Sequence, residues 1–120
     1  MTKADNPDPL RELLPLTPAV FYILFALAEG EKHGYAIMKE VEDISGGQFT
    51  MGPGTIYTTI QRLLELGLIE ENLSSSNSER RRRYYRLLRR GRQILEAELN
   101  RMESLVRSAQ RRKLVPREAR

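Results

Sequence analysis

Gly52-Pro53-Gly54-Thr55-Ile56-Tyr57-Thr58-Thr59-Ile60 is the stretch on which the fold turns. Pro53 presets φ and brings no N–H, which suits the first turn of a helix, and Gly52 and Gly54 leave the backbone open to close approach by something bulky. Ile56, Ile60, Leu63 and Leu64 then step by four, three and one, so they share one face. At about 100° per residue Thr55, Thr58 and Arg62 fall on the opposite face. Glu65-Leu66-Gly67 stops the helix, with Gly67 free to take a positive φ. The stretch therefore predicts a short helix with a small, polar outer surface and open amides at its start, where a phosphate would sit well.

Downstream, Leu68 to Leu73 reads as a strand, Ser74-Ser75-Ser76-Asn77-Ser78 as a loop, and Arg81 to Leu87 as the returning strand. The return begins in a run of arginines, Arg80, Arg81, Arg82 and Arg83, and eight arginines with no acid among them lie between Arg80 and Arg92. Arg81, Arg83, Tyr85 and Leu87 alternate with Arg82, Tyr84 and Arg86, so the two sets face opposite ways. A basic run alone is usually a solvated surface, and Gly-Pro-Gly alone is usually a turn. Joined, a polar-faced helix and a basic ribbon are what a winged helix-turn-helix uses on DNA, with the helix in the major groove and the ribbon on the backbone or minor groove. Charge follows the same division: residues 1–78 carry 5 Lys/Arg against 11 Asp/Glu, and residues 79–120 carry 15 against 5. The overall +4 hides a polarised chain, which points to a polyanionic partner.

Upstream, Thr17-Pro18 gives an N-cap with proline at the first helical position. The helix behind it, Ala19 to Glu29, is apolar on nearly every side through Val20, Phe21, Ile23, Leu24, Phe25 and Leu27, as a helix enclosed by others is. Gly30 to Gly34 breaks the pattern and opens a second helix with a predicted buried stripe of Tyr35, Ile37, Met38, Val41 and Ile44, ended by Ser45-Gly46-Gly47. Phe21, Tyr22, Phe25 and Tyr35 are assigned to the core. Leu10, Leu13 and Leu14 follow helical spacing and predict a short turn docked on another helix or subunit. At the other end, Arg89 to Lys113 carries Leu95, Leu99, Met102, Val106 and Ala109 spaced 4-3-4-3, a heptad seam for pairing with a second copy. Two paired copies would place their reading helices about one DNA turn apart, on a palindromic site. The fold expected is mainly α with a small β-wing. Residues 1–14 form an arm, 15–88 a winged helix-turn-helix DNA-binding domain, 89–113 a dimerisation helix and 114–120 a tail.

Other chemistry finds little support. Cysteine is absent, which excludes disulfides and thiolate metal sites. His33, the only histidine, stands in a glycine-flanked turn suited to capping or packing, and no nucleophile–base set or phosphate loop can be assembled. Glu40, Glu42 and Asp43 read as an exposed helix face rather than a metal site. No catalytic residue, metal or cofactor is implied. The N-terminus lacks a signal-peptide layout, and the apolar stretch Ala19 to Ala28 is far short of the roughly 20 residues that span a bilayer, so a cytoplasmic protein is expected.

The chain resembles the PadR family of transcriptional regulators over about residues 14 to 114. Leu16-Thr17-Pro18-Ala19-Val20 with Leu24 to Ala28 is similar to the family's first helix, and His33-Gly34-Tyr35-Ala36-Ile37 carries its His-Gly-Tyr motif. Gly52 to Tyr57, Arg62-Leu63-Leu64 and Gly67-Leu68-Ile69 resemble the recognition helix and first wing strand. Arg82 to Leu87 and Gly91-Arg92 resemble the second wing strand and the turn into the last helix. The resemblance implies a homodimeric repressor on operator DNA, with Thr55 and Tyr57 against the DNA and the basic wing over phosphates or the minor groove. Together with the outer face and open start of the helix, the expected DNA contacts are Gly54, Thr55, Tyr57, Thr58 and Arg62 with Arg80, Arg81, Arg82 and Arg83. It also implies that some members release DNA on binding a small, often aromatic, effector between the last helices and the core. Two features depart from the pattern: Leu88-Arg89-Arg90 stands where a capping threonine is common, and there is no tryptophan to stack a ligand. The competing reading is an adaptor that binds an acidic protein through the same basic surface; it predicts equal salt dependence without preference for any duplex.

Overall fold

Thr17 accepts the Val20 N–H through Oγ1 (3.3 Å) and, with Pro18 in the first turn, opens α1 (Pro18–Leu27) as its sequence predicts. The computed structural model describes residues 9–73 and 83–116. Ahead of α1, Pro9–Leu13 makes a short 3-10 turn that packs on the last helix. After α1 come β1 (Lys32–His33), α2 (Gly34–Ile44), α3 (Pro53–Glu65), β2 (Ile69–Leu73), β3 (Arg83–Leu87) and α4 (Arg89–Arg111). The fold is mainly α with a small antiparallel sheet, the winged helix-turn-helix arrangement. Gly67 takes φ 76° at the end of α3, where the chain turns into β2.

Ile23, Leu24 and Leu27 of α1 bury against Ile37 and Val41 of α2 and against Ile56, Ile60 and Leu63 of α3. Leu68, Ile69 and Tyr85 close the core from the sheet, and Ile94 and Leu95 close it from α4. Burying each of the large aliphatic side chains contributes about 1.5–3 kcal/mol. Gly91 lets α4 lie directly on the start of β2: a Cβ there would run into the Leu68 carbonyl, which also accepts the Leu88 N–H at 3.0 Å.

Three sequence expectations are corrected. The pattern predicts two strands, and the sheet has three in the order β1-β3-β2, with Lys32 opposite Tyr85 and His33 opposite Tyr84. A two-residue strand is too short to show alternation. Tyr35 is 60% exposed rather than part of the buried stripe, because it lies about 160° around α2 from Ile37. Phe25 is 36% exposed, stacked on Phe21 with centroids 5.3 Å apart at the margin of α1. At the start of α4, Gly91, Ile94, Leu95 and Glu98 are all buried.

Candidate nucleic-acid interface

Gly52 precedes α3 and has no side chain to cap it; its carbonyl accepts the Ile56 N–H at 3.0 Å. Pro53 has no N–H, so Gly54 and Thr55 supply the amides at the open end of the helix. A Cβ on Gly52 or Gly54 would meet nothing within 4 Å, and neither residue has a positive φ. The fold itself therefore does not demand glycine at either place. The space lies open to a partner, and the positive end of the helix favours an anion there.

Along α3, Thr55, Tyr57, Thr58, Gln61 and Arg62 are all exposed. Thr55, Arg62 and Thr58 lie about 100°, 120° and 160° to one side of Ile56, and Tyr57 about 100° to the other. Thr59 spends its hydroxyl on the Thr55 carbonyl at 2.8 Å, leaving Thr55 and Thr58 as the outward threonines. Tyr57 is held by packing. A Cβ on Gly34 would overlap its phenolic oxygen, so the glycine of the His-Gly-Tyr motif is what admits the ring. Tyr57, Gly34, His33, Tyr35 and Arg83 together line a cleft of about 360 Å³ between α2, α3 and the ribbon. Tyr35 is thus a surface residue that the buried-stripe reading does not give; its distance around the helix from Ile37 is the sequence signal for its exposure.

His33 does structural work beside this cleft. Its Nδ1 accepts the Ala36 N–H at 3.2 Å, capping α2, and its ring stands edge-on to Tyr84 with centroids 5.5 Å apart. The expectation that this histidine caps or packs therefore holds.

In the ribbon, β2 and β3 pair from Ile69 opposite Leu87 to Leu73 opposite Arg83. Tyr85 is the inward residue, and burial first, then the Glu71 carboxylate, push its phenol above the ordinary 10.0. The register brings acids onto the arginines: Arg83 Nε lies 3.5 Å from Glu71 Oε2, and Arg86 pairs with Glu70. Part of the ribbon's positive charge is thus compensated within the chain, which a count along the sequence could not reveal. Both pairs are largely exposed and contribute little to stability. Arg80, Arg81 and Arg82, with the loop Ser74 to Ser78, lie outside the described residues. Beyond the ribbon, Arg89, Arg90 and Arg92 are exposed at the start of α4, and Arg89 and Arg90 make no ion pair among the described residues.

The heptad seam divides. Leu95 is only 3% exposed, within the chain's own core; Leu99, Met102 and Ala109 are half-buried, and Val106 is 49% exposed. Leu105, 57% exposed beside Val106, widens the apolar face beyond the strict spacing. Among the described residues there is no cluster of groups that could hold a metal, and no helix is long and apolar enough to cross a membrane.

A three-helix head with an antiparallel wing, presenting a polar third helix beside basic residues, defines a winged helix-turn-helix regulator of the DNA-binding kind. Residues 23–97 match the model of the transcriptional regulator PadR-like family, and the chain belongs to that family. A PadR family transcription regulator from Clostridium difficile superposes with a TM-score of 0.69 at 24% identity, covering 79% of this chain and 97% of the other. PadR of Bacillus subtilis, solved in complex with operator DNA, superposes with a TM-score of 0.61 at 25% identity over 67% of this chain and 45% of that one. The Escherichia coli transcriptional regulator YqjI is 40% identical over 47 residues, 39% of this chain and 23% of that protein. The chain spans about a quarter of the length of the curated relatives it matches.

Proposed function

We propose that this regulator acts as a homodimeric, sequence-specific repressor on a palindromic operator. The observation that carries the reading is the outer surface of α3. Thr55, Thr58 and Arg62 are exposed, and among the described residues no carboxylate pairs with Arg62. The amides of Gly54 and Thr55 stand at an uncapped end beside them. In this reading Thr55, Thr58 and Arg62 meet base edges, while the Gly54 amide and Tyr57 meet the backbone. Arg80, Arg81, Arg82 and Arg83 then lie over phosphates. Leu105 and Val106, with the half-buried Met102 on the same face, pair with a second copy, since exposed apolar residues on one helix face favour burial. Repression rather than activation, and release by a small aromatic effector, follow from the family resemblance alone.

Fluorescence anisotropy tests the reading with the labelled fragment upstream of this protein's own gene against a scrambled duplex at several salt concentrations. Nanomolar binding that favours the native fragment by roughly 10³ supports specific recognition, and the salt slope then counts the phosphates contacted. Weak binding equal on both duplexes would leave a basic surface without a code. Within that assay, Arg62→Ala should alter preference between sites, whereas Arg82→Ala should weaken all duplexes alike.

A further inference from the structure

Glu98 is the buried charged side chain of the described residues, 1% exposed on α4. Its carboxylate is fully engaged: Oε1 accepts from Arg101 Nε at 2.6 Å, and Oε2 accepts from Arg101 Nη2 and from the Leu16 N–H, both at 3.0 Å. Leu16 lies just ahead of α1, so one carboxylate ties α4 to the N-terminal edge of the head across 82 positions of sequence. A buried ion pair contributes little net stability, because desolvation offsets most of the attraction and an apolar side chain of similar volume serves as well. What it supplies, and an apolar contact does not, is direction.

Its place along the helix gives that direction a use. Gly91, Ile94, Leu95 and Glu98 are the buried residues of α4, and Glu103 to Arg107 are exposed. Glu98 is thus the last fully buried residue of α4, with the half-buried Leu99 beside it the last to pack on the core. From Leu99 to its end at Arg111 the helix runs about 20 Å. A lever of that length tilted by roughly 10° moves its far end by about 3.5 Å, close to the rise of one base pair. We propose that Glu98, clamped by Arg101 and the Leu16 N–H, is a positioning residue that fixes the angle between head and α4. It thereby fixes the separation of the two reading helices in the dimer, and the inference rests on the dimeric reading above.

The chain has no cysteine, so Gln61→Cys on the exposed side of α3 provides one spin-label site per protomer. Double electron–electron resonance on the full chain would compare that labelled parent with the same protein carrying Glu98→Gln or Arg101→Gln. Glu98→Gln keeps the size and the acceptor for Leu16 while removing the charge. The expected result is a narrow head-to-head distance in the parent, broadened or displaced by roughly 3 Å or more in both variants, with helix content unchanged. A distance equally narrow and in the same place in the variants overturns the proposal. Should Glu98→Gln lose helix content, Arg101→Gln decides, because Arg101 is part-exposed and its removal leaves the packing in place. Absence of any inter-label distance in the parent would instead overturn the dimer, and the positioning role with it.

Discussion

Helices α1 and α2 begin differently from α3 and α4. Thr17 Oγ1 and His33 Nδ1 close the first turns of the first pair by accepting the N–H groups of Val20 and Ala36. Gly52 and Leu88 stand in the same place before α3 and α4 and offer no side-chain acceptor. A side-chain cap contributes about 1 kcal/mol. The start of α4 departs further, since Arg89, Arg90 and Arg92 set positive charge on the positive end of the helix dipole, an arrangement that costs about 0.3–1 kcal/mol for each. Both pairs contribute to the buried core, but it is the uncapped ones that carry the outward threonines, the arginines and the half-exposed apolar seam. The helix starts left without a side-chain cap are thus those of the elements that present outward threonines and arginines, groups suited to a polyanion.

Reversing the charge at the start of α4 tests this contrast most severely. Arg89→Glu with Arg90→Glu should raise the melting temperature through the dipole while weakening DNA binding by at least roughly thirtyfold near 0.1 M salt. Stability and affinity both unchanged would mean that these arginines are solvated surface. Next in size, His33→Ala removes a cap and the edge contact with Tyr84, and should cost about 1–2 kcal/mol in a denaturant titration. Thr17→Ala, which removes a cap alone, should cost about 1 kcal/mol. Equal losses would show that the Tyr84 contact contributes nothing. A smaller effect is expected from acid. The Arg101 guanidinium, against the opposing effect of burial and with help from the Leu16 N–H, holds the Glu98 carboxyl below its ordinary 4.5. Its contribution is therefore complete above that value and lost as pH falls through the lowered one, a drop that thermal melts between neutral and strongly acid pH should record and that Glu98→Gln should abolish.

What could be read in advance follows from the range of each signal. Thr17-Pro18 and Gly67 mark helix ends through bonds made within one turn, so α1 and the end of α3 fall where the residues place them. The outer surface of α3 was legible because Ile56, Ile60 and Leu63 share one face over a full element. β1 was not, since a two-residue strand exists only through its pairing with β3, more than fifty positions away. The ion pairs of Glu70 and Glu71 likewise depend on the register of β2 against β3. Glu98, in a helix rich in charged residues, carries no local mark of its burial. The sequence signal for it is its place on the same side as Leu95 and Met102, with an arginine three residues on to receive it.

The smallest effect separates the two kinds of helix start most cleanly. Gly52 has φ −78° and ψ 169°, a conformation open to any residue, and a Cβ there meets nothing within 4 Å. Gly52→Ser should therefore fit without strain, and its Oγ can accept the open Thr55 N–H and convert α3 into a helix of the α1 kind. Serine in place of glycine at this position contributes only a few tenths of a kcal/mol, so the melting temperature should rise by about 1–2 °C. If that amide receives a phosphate when DNA is bound, the same hydroxyl competes for it, and operator affinity should fall by roughly threefold as stability rises. Opposite signs would tie the missing cap to binding. A rise in stability with affinity unchanged would leave the open end of α3 unused and place the backbone contacts on Tyr57 and the ribbon instead.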